Sequence, residues 1–245
     1  MGSMRRTSRW PVAAAVAFAA VAFPAAAYAA YTELGATKSP LVAPSCPPTL
    51  PAAQCTIILT RVTALETLRD GATYPTTVRQ AGRITSFTVG LSNLSSNKSK
   101  RKSFIHYLDA TYGGTTRIAI TVLRPGGGKK TDFSWTVVAE SPIYHVEPYL
   151  GSVVQIPLET TLEVKPGDVI ALTTPTWAPV LTIDVNGKKF AYRQSRSSNC
   201  SGPPATSQAQ LTSAQTANYK CDYPGTRLEY SATEVFYPLG ANPVH

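Results

Sequence analysis

Catalytic signatures are scarce in this chain, and their absence narrows its function before anything present is weighed. Of three histidines, only His106 and His145 lie inside the sequence, and neither stands at metal-ligand spacing from another histidine or a cysteine. There is no CxxC pair, no H-E-x-x-H, no G-x-S-x-G elbow and no glycine-rich phosphate loop. Zinc hydrolysis, serine hydrolysis and nucleotide chemistry are therefore disfavoured, and no metal or cofactor is expected. The apolar spacing of an amphipathic helix is also missing, as is any internal repeat, which argues against a helical bundle or a solenoid. After residue 29 no apolar run approaches the length of a membrane span.

The first 29 residues have the layout of an export signal. Arg5, Arg6 and Arg9 form a basic start, Val12 to Phe23 an apolar stretch of Ala, Val and Phe, and Ala27-Tyr28-Ala29 a cleavage site. A membrane anchor is the rival reading; the alanine content and Pro24 weigh against it. The Arg5-Arg6 pair leaves the twin-arginine and general routes both open. Three of the 23 basic residues go with the leader, so 20 face 14 acidic ones in the remaining 216 residues, a formal +6. That is too mild for a dedicated nucleic-acid binder. The expected address is secreted or cell-surface, with no span in the mature chain and an oligomeric state left open.

All four cysteines follow the leader, and export makes them disulfide candidates. Four cysteines allow three pairings; sequence proximity favours Cys46 with Cys55 and Cys200 with Cys221. Residues 30–55 carry Pro40, Pro44, Pro47, Pro48 and Pro51 and read as an extended arm pinned by the first bridge. A single domain is expected over residues 56–245.

Within that domain the pattern is one of strands. Leu158 to Asp184 reads LETTLEVKPGDVIALTTPTWAPVLTID, in which Pro166 and Gly167 suit the two central positions of a type II turn. After the turn Val169 to Thr173 is apolar on both faces, as an interior strand requires. Further strands are read at Thr56–Leu65, Arg83–Asn93, Arg117–Leu123, Asp132–Val138, Val153–Leu158 and Arg227–Tyr237. Asn186-Gly187, between Leu181–Val185 and Lys189–Arg193, carries a two-residue hairpin signal. Ser92 to Lys102 reads as a polar loop, and Ser195 to Tyr219 as a disulfide-tethered surface loop. Asn93, Asn97 and Asn199 fit the glycosylation pattern, which matters only in a host that uses it. About ten short strands with regular turn signals give an all-β antiparallel sandwich, of jelly-roll more than immunoglobulin type, because the cysteines sit in loops and termini.

The segment Leu162 to Leu172, LEVKPGDVIAL, resembles the turn-plus-strand of jelly-roll carbohydrate-binding modules. The wider layout of leader, Pro-rich arm, Trp177 loop and late cysteine pair is similar to secreted bacterial β-sandwich proteins. Both resemblances imply binding more than catalysis. Trp177, between Pro175 and Pro179 in a stiffened loop, offers a rigid face for a sugar ring, and its competing fate is a plug at the open end of the sandwich. Tyr144, Tyr149, Tyr192 and Arg193 are second-rank ligand candidates. Lys98, Lys100, Arg101 and Lys102 can meet an anionic wall polymer or lipid surface, or simply solvate a loop. Carboxylate pairs such as Glu140 with Glu147, or Asp168 with Asp184, are the one arrangement open to glycosidase chemistry. The leading expectation is a secreted, non-enzymatic module that binds glycan or envelope polymer through loops at one end of the sandwich. An adhesive surface protein and a glycan-cleaving enzyme stand behind it.

Overall fold

The computed structural model describes residues 30–51, 55–126 and 133–236. The expected leader and the tip of the loop at 127–132 lie outside them. In chain order the strands are β1 (Ala30–Leu34), β2 (Leu59–Arg69), β3 (Ala72–Thr73), β4 (Gly82–Gly90), β5 (Arg117–Pro125), β6 (Ser134–Glu140), β7 (Tyr144–His145) and β8 (Val153–Val164). They continue with β9 (Val169–Ala178), β10 (Leu181–Ile183), β11 (Ala191–Gln194), β12 (Thr216–Asn218), β13 (Cys221–Pro224), β14 (Thr226–Leu228) and β15 (Tyr230–Phe236). Helix α1 (Lys98–Tyr112) stands between β4 and β5.

The strands form an antiparallel sandwich of unequal sheets. One has the order β1-β15-β4-β8; the other runs β12-β6-β5-β9-β2-β11-β13, with β3 and β7 attached to its flanks. A jelly roll in its simplest form spreads eight strands over two sheets. The strand read as interior is the middle of the larger sheet. Ile170 and Leu172 of β9 point inward with Val62, Ala64, Ile120 and Val122 against Phe87, Val89, Leu162 and Tyr230. Each of the buried Val, Leu, Ile and Phe side chains contributes about 1.5–3 kcal/mol. Val169 and Ala171 point the other way, into a second cluster with Leu65, Leu123, Trp135 and Tyr219. The polar 195–219 segment therefore does more than decorate the surface: it crosses the outer face of the larger sheet and covers it. Its Gln210 backbone N–H donates to Thr63 Oγ1 at 2.8 Å, and Thr63 and Thr121 each bond the Thr173 hydroxyl, at 2.7 and 2.6 Å. Three adjacent strands are thus laced by hydroxyls under one buried glutamine.

The expected turn is present, with Gly167 at φ +91° and Asp168 N donating to Lys165 O at 3.0 Å. Asp168 is buried and takes both a bidentate pair from Arg124, at 2.8 and 3.0 Å, and the Lys165 N–H. That occupancy removes it from the acid–base candidates. The β5–β6 hairpin is also present. Both favoured disulfides are formed, Cys46–Cys55 and Cys200–Cys221.

Four expectations are corrected. Lys98 to Lys102 belongs to a helix, not a loop. Asn97 Oδ1 caps it by accepting from Lys100 N at 3.0 Å, and Gly113 at φ +86° closes it. Leu108 is its only buried residue, so the apolar stripe that reveals most helices is missing from the sequence. The Pro-rich arm begins as a strand, because Ala30 to Leu34 pairs with β15 from Phe236 to Ala232. Asn186-Gly187 closes no hairpin: neither residue takes the positive φ that a type I′ turn needs, β10 pairs with β14, and β11 pairs with β2 and β13. Finally, Thr174 to Ala178 is strand. Pro175 is tolerated because β2 bulges opposite it, at Arg61, and β5 has ended its pairing at Thr173.

Candidate functional site

Strand β11 places Tyr192 and Gln194 on one face, and β13 places Tyr223 beside them, because Tyr192 and Tyr223 are direct cross-strand partners. Their rings stack with centroids 4.8 Å apart and planes 18° from parallel. The Gln194 amide is threaded between the hydroxyls: its Nε2 donates to Tyr192 OH at 3.0 Å, and its Oε1 faces Tyr223 OH at 3.1 Å. Tyr223 OH also donates to the Cys200 carbonyl at 2.7 Å.

These side chains line a groove of about 380 Å³. One side is the entry to β2 at Cys55, Thr56 and Ile58; another is the segment Cys200 to Pro204; Tyr112 comes from the end of α1. Each disulfide supplies a lining residue, so the two staples fix two borders of the groove. No carboxylate, imidazole, ammonium or guanidinium is among the described lining residues. Burial pushes the Tyr192 phenol far above its usual range and raises Tyr223 as well, so both stay protonated. The groove therefore presents neutral donors and acceptors beside aromatic faces.

A second feature lies at α1. Lys98, Arg101 and Lys102 share a shallow cleft with Asp109 and with Glu147, which opens the single-turn 3₁₀ helix Glu147–Tyr149. The structure thus brings the basic run and the Tyr149 segment to one end of the molecule. Tyr149 is 45% exposed, and Phe104 and Tyr107 of α1 are 50% and 61% exposed.

The other sequence candidates are placed differently. Trp177 is fully buried in β9, with its Nε1 donating to Asp109 Oδ1 at 2.9 Å and facing Gly114 O at 3.1 Å. It offers no ring face to solvent, which corrects its reading as a loop platform. Tyr144 packs against Phe87 with ring centroids 5.6 Å apart. Arg193 points to the opposite face from Tyr192; it stacks over Phe133 at 3.9 Å and donates to the carbonyls of Tyr219 and Lys220. Of the second-rank group, only Tyr192 reaches the groove. The sequence pattern does not single out Tyr112, Gln194 or Tyr223; the one local signal is that Tyr223 follows the disulfide-bonded Cys221 by two residues.

Away from both features, two arginine–carboxylate pairs are buried, Arg69–Glu66 at 3.2 Å and Arg227–Glu229 at 2.6 Å. Burial, opposed by Arg69 and reinforced by the nearby Glu229 charge, pushes Glu66 up to about 8. Arg227 Nη2 donates to Pro40 O at 3.0 Å, and Glu229 Oε2 accepts from Val42 N at 3.1 Å, so this charge cluster also holds the arm. Among the described residues no three His, Cys, Asp or Glu side chains converge as a metal site, and no helix is long and apolar enough to cross a membrane.

Searches of protein-family models, curated proteins and solved structures find no match to this chain.

Proposed function

We propose that the protein is an exported, non-enzymatic binding module whose disulfide-bordered groove takes a neutral sugar unit of a glycan or envelope polymer. The observation that carries this reading is the lining itself. Aromatic rings, threonine hydroxyls and one glutamine amide meet there with no charged group among the described residues. A sugar ring has apolar C–H faces and a rim of hydroxyls, which matches the partly exposed rings of Tyr223 and Tyr112, the former backed by the buried Tyr192, flanked by neutral hydrogen-bonding groups. Acid–base hydrolysis needs two carboxylates at the scissile bond, so the lining favours binding over cleavage. Two disulfides fit an extracellular protein, and the leader-like residues 1–29 supply the route.

A neutral-glycan array followed by calorimetric titration of the hits tests the reading. Tyr223→Ala and Tyr112→Ala are each expected to weaken binding about tenfold or more, on the scale of a lost aromatic contact. Lys100→Ala, outside the groove, is expected to leave it unchanged. Hits whose affinity is untouched by both tyrosine changes would remove the groove from the function.

A further inference from the structure

We propose that the solvent face of α1 docks the protein onto an anionic lipid bilayer. This surface is separate from the groove, and the proposal stands or falls independently of the glycan reading.

Lys100, Phe104 and Tyr107 fall at i, i+4 and i+7 and so share one helical face. Phe104 is 50% and Tyr107 61% exposed. Scattered exposed aromatics are ordinary on a protein surface. Here they sit on a helix whose opening turns carry Lys98, Lys100, Arg101 and Lys102 and whose first turn has no acidic residue. Among the described residues none of these four cations is in a salt bridge. Cations at that end oppose the helix dipole, so their placement is not explained by helix stability. It is explained by an anionic partner: charge attracts at long range, and aromatic rings settle at the headgroup boundary.

The helix is also mounted for this task. Trp177 holds Asp109 and Gly114, and Arg61 donates to the carbonyls of Thr111 and Tyr112, at 3.0 and 3.4 Å. The C-terminal end is fixed, and at the cationic end Arg101 Nε donates to Ser95 O at 3.2 Å while Lys98, Lys100 and Lys102 are exposed. A bilayer fits better than a soluble polyanion. On the opposite side of the helix, Lys98, Arg101 and Lys102 share the cleft with the carboxylates of Asp109 and Glu147, which offset most of their charge toward an anionic chain lying in it. The convex face carries Phe104, which has no hydrogen-bonding group to offer a polymer. Lys100 lies on that face itself, and Lys98, Arg101 and Lys102 extend their long arms from the cleft side of the helix.

The test titrates the full-length chain with phosphatidylcholine vesicles, with and without about one-third phosphatidylglycerol, at roughly 0.1 M salt. Each cation near such a surface is worth about fivefold in affinity. The anionic vesicles are expected to bind at least tenfold tighter than the neutral ones. The double change Phe104→Ser with Tyr107→Ser, and the double change Lys100→Glu with Lys102→Glu, should each reduce that binding tenfold or more. All four changed residues are exposed, and unchanged near-ultraviolet circular dichroism verifies folding. The apolar leader is common to every protein compared, so the variants isolate α1. Variants that bind as wild type overturn the proposal, as does equal binding to both vesicle types. Heparin binding that depends on the lysines and ignores Phe104 and Tyr107, with no vesicle binding, would replace the bilayer by a polyanion.

Discussion

The Trp177 indole N–H donates to the Asp109 carboxylate across 2.9 Å, joining the central strand of the larger sheet to the last turns of α1. Few other contacts could hold this helix, since Leu108 is its only buried residue. Helix packing normally rests on an apolar stripe. Here one buried indole, the Gly114 carbonyl it also faces, and the Arg61 guanidinium replace that stripe.

Trp177→Phe keeps a buried aromatic ring but removes the donor, leaving two acceptors short of a partner, and empties part of the indole's volume. It is expected to lower unfolding free energy by about 1–3 kcal/mol in urea titration and to speed amide exchange across Lys98–Tyr112. A wild-type midpoint with unchanged exchange would mean that the helix is held by something else.

Stability should depend on pH through Glu66. Its folded pKa of about 8 stands above the ordinary 4.5, so between those values the folded protein holds a proton that the unfolded chain releases. The contribution is full below the unfolded value and is lost as pH rises through about 8. Urea midpoints are therefore expected to fall from pH 6 to pH 9, and Glu66→Gln to flatten the decline while costing little at pH 6. An ionised Glu66 would instead make that substitution cost about 3–5 kcal/mol, because buried Arg69 would lose its charge partner.

The arm should be loosened around Thr37–Ser39 by a change at Asp70. Desolvation raises this carboxyl, but hydrogen bonds from the Thr37 and Ser39 hydroxyls and the Ser39 N–H outweigh it and hold the group down to about 2. Its stabilising effect is present above the ordinary value of 3.8 and is lost as pH falls through about 2. Asp70→Asn tolerates the positive φ of 50° at this position and loses one acceptor. Trypsin cleavage after the exposed Lys38 is expected to quicken several-fold, read by mass spectrometry. Cleavage at the wild-type rate would show that Asp70 does not hold the arm.

Cys200→Ser with Cys221→Ser should reduce stability by about 3 kcal/mol by loop-closure entropy, and the corresponding change at Cys46 and Cys55 by about 2.6 kcal/mol. Both pairs border the groove, and Cys200–Cys221 also anchors the segment that carries Gln210 and Tyr219 over the larger sheet, so sugar binding is expected to fall with either and further with the Cys200–Cys221 change. Vesicle binding should persist, because α1 is held by Trp177 and Arg61. Groove titrations of each double variant, in the temperature range where it is folded, separate the two effects.

Much of the sandwich was legible because strand periodicity and turn chemistry are local. Val169 to Thr173 announced an interior strand through apolar residues on both faces, and Pro166-Gly167 announced its turn. Proximity was enough for the cysteines. The helix was illegible because it buries almost nothing, leaving only Asn97 and Gly113 as signals. The groove was illegible for another reason: Tyr192 and Tyr223 are 31 residues apart in number, and only the β11–β13 pairing stacks them. The sequence by itself determined the β class, the interior strand and the favoured disulfides, since each depends on neighbours along the chain. The tertiary structure alone decided the fate of Trp177. Two prolines make a stiff loop only where no strand claims the residues between them, and the β2 bulge at Arg61 lets β9 run through Pro175 and carry the indole into the interior.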